Sequence, residues 1–415
     1  MKVAVIGAGA SGLISAKVLS EKGINYDVFE TGDQVGGTWI YSENTVDKHG
    51  LPVASSMYRD LRSNLPKEVM EFSEYHYNIE NVSYITRSQV LDYLQSFCNE
   101  YNLKENIKLE HLVTKVSRTE GGWLLTAKDL NHGTESIMFY DAVFICIGHY
   151  SLPNYPEVEV KESFTGLSLH SHYYKTPDIF DNKIVLVIGM GPSATDITFN
   201  IHPNSKQIYL SHHCSEEIKQ LFPEDIIHKP DVKAIEGKTV YFEDDTNAEV
   251  DAILYCTGYK YSFPFLDESC GIKVYNNYVS PLYKQVFSIT HPTMIFIGIP
   301  FMAFVIRMFE IQARCALNAL TGIANLPPRE EMLEDMKSWE KVQISRGYSE
   351  NKFHMISDYV YQYFRDLEKV GNVTPPCPDV LFKLFYTSGK NRKNNLLKYR
   401  DIVFKIIDAE NFIIK

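Results

Sequence analysis

A short strand that runs into a glycine turn constrains the fold more than any other part of this sequence. Residues 2–6 (Lys-Val-Ala-Val-Ile) are mostly apolar and β-branched, the turn is Gly7-Ala-Gly-Ala-Ser-Gly12, and residues 13–22 have the composition of a helix. In a G-x-G-x-x-G turn the first glycine permits the bend, the second lets a pyrophosphate approach the backbone, and the third lets helix and strand pack closely. The helix N-terminus offers free N–H groups to the phosphates.

An acidic residue follows at the distance that a nucleotide site requires. A second strand is predicted at 26–29, and it ends in Glu30, about 20 residues after the glycines, where a carboxylate can bind ribose hydroxyls. Glycine turns also occur without a nucleotide, but here the strand, the helix and the acid are all present. The stretch therefore predicts a dinucleotide-binding βαβ unit.

The same pattern recurs near the middle of the chain. Residues 184–188 (Ile-Val-Leu-Val-Ile) precede Gly189-Met-Gly-Pro-Ser-Ala194, and a helix is predicted from Pro192 or Ser193 onward. Aligned by offset, the positions equivalent to Gly7, Gly9, Gly12 and Glu30 are Gly189, Gly191, Ala194 and His212. The repeat predicts a second dinucleotide site.

The two units differ in charge where the second strand of each one ends. Ser211, His212 and His213 follow the strand of the second unit, where the first unit has its acid. A carboxylate would repel a ribose 2′-phosphate, whereas a hydroxyl and imidazoles can accept it, so the second site is predicted to take NADP rather than NAD. A polar loop without a ligand is the alternative for these three residues.

Composition indicates a globular protein and disfavours several other classes. The 415 residues suffice for about two to three domains, and 45% apolar residues indicate packed cores. A net charge of −11 gives no basic surface for nucleic acid. The seven cysteines include no C-x-x-C pair and have no His at metal-ligand spacing, which predicts free thiols and no metal site.

The sequence predicts neither a membrane anchor nor a signal peptide. The longest apolar run, 294–306, is interrupted by Gly298 and Pro300 and is shorter than the about 20 residues of a membrane helix. The N-terminal apolar residues belong to the first nucleotide unit, although a leader removed upstream is compatible with the sequence. Sequons at Asn81 and Asn372 matter only in a secreted protein, so cytoplasmic and extracellular locations both stay open.

A third motif lies between the two units and carries a family resemblance. Phe164-Thr-Gly166-Leu-Ser-Leu-His170-Ser-His-Tyr-Tyr174 has the form F-x-G-x-x-x-H-x-x-x-(Y/F), and in this the chain resembles the flavin-containing monooxygenases. Baeyer–Villiger monooxygenases end a similar motif in Trp, whereas this one ends in Tyr. The resemblance extends over nearly the whole chain, through Gly36-Gly-Thr-Trp39, Asn64-Leu-Pro-Lys-Glu68, Thr257-Gly-Tyr259 and Glu310-Ile-Gln312.

The resemblance implies an α/β fold of two Rossmann-like dinucleotide-binding domains. The larger FAD domain is expected to be discontinuous, over 1–170 and 286–415, with the smaller NADPH domain inserted at 171–285. Apolar spacing predicts tail helices at 329–345, 354–369 and 390–407. Within the family, the chain looks most like soluble insect members such as the pyrrolizidine-alkaloid (senecionine) N-oxygenases.

The resemblance also implies the chemistry. NADPH reduces FAD, O2 adds to give a C4a-hydroperoxyflavin, and a tertiary amine (a pyrrolizidine alkaloid, for example) or a sulfide takes one oxygen atom, as in detoxification of xenobiotics or alkaloids. The alternatives are a flavin-dependent NADPH oxidase or reductase of the same architecture and a non-catalytic FAD- and NADP-binding protein. The missing C-x-x-C disfavours a disulfide reductase. A homo-oligomer is compatible with the sequence.

Asn64 is the predicted catalytic residue, because it matches the active-site Asn of the family. A neutral amide can donate and accept hydrogen bonds without protonating the peroxide. The alternative is an Asn that caps the turn before Pro66. The family usually has an Arg near the second ribose, and His212 and His213 in its place leave the preference for NADPH over NADH open.

The other predicted cofactor contacts come from the motifs and from the resemblance. His170 is interpreted as part of a structural hinge between the domains, with a catalytic role as the alternative. His149 is interpreted as a loop histidine, with a position near the cofactor as the alternative. The predicted cofactor-binding residues are Gly7, Gly9, Ala10, Ser11, Gly12, Glu30, Gly37, Thr38, Trp39, Ser63, Asn64, Leu65, Val113, Gly189, Gly191, Pro192, Ser193, Ala194, Thr195, Ser211, His212, His213, Thr257 and Gln312.

Overall fold

Two parallel sheets, each built around one of the glycine turns, organise the fold. The computed structural model describes residues 1–213 and 215–415. Cys214, one of the predicted free thiols, lies outside the described residues, and the other six cysteines are free and buried.

The elements are numbered in chain order. The helices are α1 (Ala10–Glu21), α2 (Arg87–Glu100), α3 (Pro192–Ile201), α4 (Glu216–Lys219), α5 (Val305–Leu320), α6 (Arg329–Ser345), α7 (Val360–Gly371) and α8 (Asp379–Asn394). The strands are β1 (Lys2–Ile6), β2 (Asn25–Phe29), β3 (Ile107–Lys108), β4 (His111–Thr119), β5 (Gly122–Asp129), β6 (Glu135–Tyr140), β7 (Ala142–Ile145), β8 (Leu152–Pro153), β9 (Glu159–Glu162), β10 (Leu167–His170), β11 (Ile184–Ile188), β12 (Gln207–Ser211), β13 (Ile227–Lys229), β14 (Val232–Glu236), β15 (Thr239–Phe242), β16 (Asn247–Glu249), β17 (Ala252–Tyr255), β18 (Tyr259–Lys260), β19 (Lys273–Tyr275), β20 (Tyr278–Ser280), β21 (Leu282–Tyr283), β22 (Phe287–Ser288), β23 (Met294–Phe296), β24 (Phe404–Ile406) and β25 (Phe412–Ile414).

The first sheet has the order β21-β22-β23-β7-β1-β2-β3, and its strands from β23 to β3 are parallel. Residues Val3, Ala4 and Val5 of its central strand are fully buried, as expected for a sheet covered on both faces. Helix α1 begins at Ala10, earlier than predicted, because the glycine turn supplies its first residues. The sheet draws strands from before and after the second glycine turn, so the discontinuous architecture is confirmed.

The second sheet is wholly parallel, with the order β10-β17-β11-β12-β13. Its edge strand β10 lies inside the third sequence motif, and β8 pairs with β18. We therefore propose that the second unit spans about 150–260 rather than the predicted 171–285. Limited proteolysis tests these boundaries. Cuts near 171 and 285, with none near 150 and 260, would contradict them.

The predicted helix at 390–407 is wrong. Helix α8 ends at Asn394, where Asn395 is extended, and β24 and β25 form an antiparallel hairpin. The Asp408 carboxylate accepts hydrogen bonds from the N–H groups of Glu410 and Asn411 and fixes the hairpin turn. Pairing with a later strand thus overrides the helical spacing.

The other two tail predictions hold better. Helix α6 has the predicted bounds, and α7 begins after a 3₁₀ turn, Ser357–Tyr359. Across 1–213 and 215–415, no helix is long and apolar enough to cross a membrane.

Candidate active site

The first glycine turn leaves no room for a side chain at Gly7 or at Gly12. Gly7 has φ +103°, and a Cβ there would lie 2.5 Å from the Cys146 carbonyl oxygen; a Cβ on Gly12 would lie 1.8 Å from the Gly7 oxygen. Gly9 is the N-cap residue of helix α1, and no side chain caps the helix. Its first N–H groups are therefore left for a ligand phosphate.

The loop around Gly37 closes over this turn. The Gly36 N–H donates to the Ala8 oxygen at 3.0 Å, and a Cβ on Gly37 would lie 2.8 Å from the Gly9 Cα atom. The Thr38 hydroxyl is buried and has no hydrogen-bond partner among the described residues. A closely approached backbone, an uncapped helix and an unpaired hydroxyl together fit the pyrophosphate of FAD.

Glu30 lies beside the turn as predicted. Its carboxylate accepts hydrogen bonds from the Ala8 N–H at 2.7 Å and the Gly32 N–H at 2.8 Å. Burial raises the pKa of Glu30, and these two donors oppose the rise. Each carboxylate oxygen keeps a second lone pair, so the group can still accept hydrogen bonds from ribose hydroxyls.

The second glycine turn repeats the bend of the first. Gly189 has φ +115°, and a Cβ there would lie 2.5 Å from the Cys256 carbonyl oxygen. Gly191 is the N-cap residue of helix α3, which begins at Pro192 and has no side-chain cap. Ala194 and Thr195 are buried behind it, while Gly191 is exposed and a Cβ on it would meet nothing within 4 Å.

The structure does not support a charged His212 at the second ribose, and the predicted ribose contact stays a prediction. The side chain is buried and its Nε2 lies 2.7 Å from Nδ1 of His228. Burial first, and then the charge of His228, lower the pKa of His212 to about 4, so its imidazole is neutral at pH 7. The Ser211 hydroxyl donates to the Pro230 oxygen, and the exposed His213 ring lies 3.3 Å from Asp231.

A permanent cation near this site comes from α4. The charge of Lys219 contributes to the lowered pKa values of His212 and His228, so its ammonium group acts on both rings. Lys219 is paired with Glu216 one turn away on the same short helix. The sequence pattern did not predict a role for Lys219, because α4 is a short helix that follows β12 at no spacing fixed by a motif.

Asn64 lies on an exposed loop. The described residues offer no hydrogen-bond partner to its amide, and the 3₁₀ turn that follows, Lys67–Val69, begins at Pro66 without a side-chain cap. The structure therefore gives no support to a capping role. Ser63 is buried, and its N–H and hydroxyl bind the Ile85 backbone at 2.7 and 3.0 Å, which fixes the loop beside Asn64.

A chain of rings joins the two units; we call His149, Tyr150, His170, His172 and Tyr259 the junction cluster. The His149 and Tyr150 rings are 4.2 Å apart, Tyr150 is 5.5 Å from Tyr259, and Tyr259 is 5.3 Å from His170 and 5.9 Å from His172. His149 follows β7 of the first sheet, whereas His170 ends β10 of the second. The cluster thus lies where the two units meet.

The histidines of the junction cluster are neutral at pH 7. Burial lowers the pKa of His149 and of His170 to about 4, and it also lowers that of His172. His149 Nδ1 donates to the Gly298 oxygen at 3.2 Å, and its Nε2 is buried without a partner among the described residues. The junction therefore offers polar groups without charge. The described residues contain no group of side chains arranged to hold a metal ion.

Comparison with known proteins decides the family. The chain matches the flavin-binding monooxygenase-like family over residues 1–222 and 218–388. The protein belongs to this family. It is therefore an oxidoreductase, a flavoprotein monooxygenase, and the predicted family membership is confirmed.

Relatives of this monooxygenase cover almost its full length. Senecionine N-oxygenase of Tyria jacobaeae is 36% identical over 99% of this chain and 91% of that protein. Flavin-containing monooxygenase FMO GS-OX4 of Arabidopsis thaliana is 34% identical over 87% of this chain and 82% of that protein. The structure of S-allyl-L-cysteine S-oxygenase from Allium sativum has a TM-score of 0.89 and 32% identity, covering 96% of this chain and 94% of that one.

Three residues predicted to contact the cofactors are packed against or hydrogen-bonded to other parts of the protein. Gln312 is fully buried; its amide oxygen accepts from the Gly298 N–H at 2.9 Å and its amide nitrogen donates to the Tyr363 hydroxyl at 2.8 Å. The Gln312 amide therefore fixes the end of β23. The Val113 side chain is buried in the core, and the Thr257 hydroxyl donates to the Asn154 oxygen after β17.

Other predicted contacts of the monooxygenase lie beside the glycine turns. Ala10 and Ser11 are buried in the first turn of α1, whereas Trp39 and Leu65 are half-buried and pack on the first core. Ser193 is half-buried at the start of α3. Sequence reasoning missed His172, although the density of polar and aromatic residues around His170 was a usable signal.

Proposed function

We propose that this monooxygenase uses NADPH and O2 to oxygenate the nitrogen of tertiary amines, including pyrrolizidine alkaloids, or the sulfur of sulfides. Bound FAD supplies the activated oxygen. One relative is an N-oxygenase and another is an S-oxygenase. Amine nitrogen and thioether sulfur are both soft nucleophiles, so one activated oxygen serves both.

The observation that carries the proposal is the exposed amide of Asn64, which has no hydrogen-bond partner among the described residues and lies on a loop linked to both nucleotide units. The Arg59 N–H, on the same loop, donates to the Lys175 oxygen just after the third motif at 3.0 Å. An amide that is free to donate and to accept can hold an oxygen group and the coenzyme without transferring a proton. The neutral histidines of the junction cluster are consistent with the same requirement.

Each cofactor has a set of residues that fits it. For FAD these are the first glycine turn, Glu30 and Thr38, which offer free N–H groups, a ribose acceptor and an unpaired hydroxyl. For NADPH they are the second glycine turn and Lys219, whose ammonium group suits a 2′-phosphate better than a neutral imidazole does.

Replacing Asn64 by Ala tests the proposal. We expect the variant to keep FAD and to be reduced by NADPH at the normal rate, but to lower the ratio of product to NADPH consumed by about tenfold or more, because one hydrogen bond to a charged oxygen group is lost. Hydrogen peroxide should account for the missing oxygen. N,N-dimethylaniline and methyl phenyl sulfide serve as substrates.

Asn99→Ala is the matched control, since Asn99 is an exposed asparagine on α2 and is distant in sequence from both glycine turns. It should leave the ratio unchanged. Full retention of product per NADPH in Asn64→Ala would rule out the proposed role of the amide. A wild-type protein that consumes NADPH and O2 but gives only peroxide with both substrates would instead be an oxidase.

A further inference from the structure

The C-terminal tail crosses the loop that carries Asn64. Arg400 lies in the 3₁₀ turn Tyr399–Asp401 and reaches the backbone just before Asn64. Its Nε donates to the Ser63 oxygen at 3.1 Å, and its Nη2 donates to the Arg62 oxygen at 3.1 Å. One guanidinium group thus holds two successive carbonyls next to the proposed catalytic amide.

The same guanidinium also reaches the second nucleotide unit. Arg400 Nη1 forms an ion pair with Asp196, which lies on helix α3 behind the second glycine turn. The other carboxylate oxygen of Asp196 accepts a hydrogen bond from the Tyr58 hydroxyl. Asp196 is therefore bound both to the tail and to the segment that leads into the Asn64 loop.

The third sequence motif supports this contact from the other side. The Tyr174 ring, at the end of the motif, lies 5.3 Å from the Tyr58 ring, and its hydroxyl donates to the side chain of Asn200 on α3. Tyr58 and Tyr174 are both buried. The ion pair between Arg400 and Asp196 is thereby held in a shielded place, where its geometry is fixed.

A second anchor holds the other end of the loop. The Phe404 N–H donates to the Ser83 hydroxyl at 2.8 Å, and that hydroxyl donates to the Glu68 carboxylate at 3.0 Å. The rings of Tyr399 and Tyr84 meet edge to face at 5.1 Å. The tail therefore fixes the loop on both sides of Asn64.

We propose that Arg400 is a positioning residue that sets Asn64 in register with the coenzyme bound at the second glycine turn, acting through Asp196. The proposal rests on the function proposed above and extends it. The planar fork of an arginine can bind two carbonyls and a carboxylate at once, whereas a lysine keeps the charge but loses this geometry. Arg400→Lys therefore separates charge from positioning.

The test uses the full-length, FAD-loaded protein and the variants Arg400→Lys and Asp196→Asn. We expect FAD content and the rate of flavin reduction at saturating NADPH to stay within about twofold of wild type. KM for NADPH should rise about tenfold, and product per NADPH from N,N-dimethylaniline should fall about tenfold, with peroxide in its place, because misplacement of a positioned group is costly.

Lys398→Gln is the control, because it removes a positive charge from an exposed tail residue two positions away. It should change none of these quantities. Unchanged KM and unchanged product per NADPH in both test variants would overturn the proposal. A loss of FAD and of thermal stability with normal coupling in the remaining holoenzyme would also overturn it, since this indicates a purely structural role.

The failure of the proposed function has a different signature. In that case the wild-type protein gives no oxygenated product from either substrate. KM for NADPH can still be measured from flavin reduction, and a value unchanged by Arg400→Lys and Asp196→Asn then overturns the positioning role separately.

Discussion

The two glycine turns of this monooxygenase have almost the same backbone and very different surroundings. Both bend at a glycine with φ near +110° (+103° and +115°), and in both an added Cβ would lie 2.5 Å from a cysteine carbonyl oxygen. Gly9 is covered by the Gly37 loop, whereas Gly191 is exposed, and a Cβ on it would meet none of the described residues within 4 Å. We interpret the covered turn as suited to a cofactor that stays bound, and the open turn as suited to one that exchanges.

The largest difference between the turns is expected from an added methyl group. Gly12→Ala places a Cβ 1.8 Å from the Gly7 oxygen, so it should destabilise the fold by more than about 4 kcal/mol and yield little protein with bound flavin. Gly191→Ala has room for its methyl and should fold with FAD, while KM for NADPH rises. Flavin absorbance per protein, thermal melting and steady-state kinetics measure both.

Equal FAD contents in Gly12→Ala and Gly191→Ala would show that the difference in packing between the two turns does not affect FAD binding. A normal KM for NADPH in Gly191→Ala would instead indicate that the coenzyme does not approach this glycine closely.

A smaller effect is expected at the ribose ends. Lys219→Met should raise KM for NADPH about tenfold and leave KM for NADH unchanged, because it removes a cation that acts on a 2′-phosphate. Glu30→Gln is the mirrored variant: it should weaken FAD retention and leave the ratio of NADPH to NADH activity as it is. Equal effects of Lys219→Met on both coenzymes would remove this lysine from the specificity site.

The smallest effect is a pH dependence of opposite sign at Glu30 and His212. The pKa of His212 is lowered from 6.5 to about 4, so its contribution to stability is present above pH 6.5 and is lost as pH falls toward 4. The pKa of Glu30 is raised above 4.5, so the folded protein takes up this proton first and gains stability as pH falls.

Urea unfolding at pH 7 and pH 5 measures this difference. Compared with wild type, His212→Gln should lose less free energy of unfolding between the two values, by about 1 kcal/mol after solvent screening, and Glu30→Gln should lose more. If the free energy of unfolding falls by the same amount in both variants and in wild type, the pKa of neither group differs between the folded and unfolded states.

Local patterns made much of the fold predictable. The strand at 2–6 and the helix at 329–345 have the predicted bounds because apolar spacing and chain breakers act over a few residues. Gly7, Gly12 and Gly189 were equally clear, since close packing leaves few other residue types possible at these positions. Glu30 lies beside the first glycine turn, and the roles predicted for Glu30 and Asn64 stay predictions.

Features that depend on distant contacts were not predictable. The charge of His212 depends on its burial and on His228, which approaches it only through the pairing of β12 with β13. The strand β24 forms because it pairs with β25, although its spacing favours a helix. The ion pair of Arg400 joins residues 204 positions apart, and no spacing rule reaches that far.

The divided first sheet sets an order for folding during synthesis. Its strands β1 and β23 are separated by about 290 residues, so at about 5–20 residues per second the N-terminal strand waits on the order of 15–60 s for its complete sheet. All strands of the second sheet have been made by Tyr255. The second unit can therefore complete its sheet first, while β1, which can pair early with β2, stays without the later strands of its own sheet.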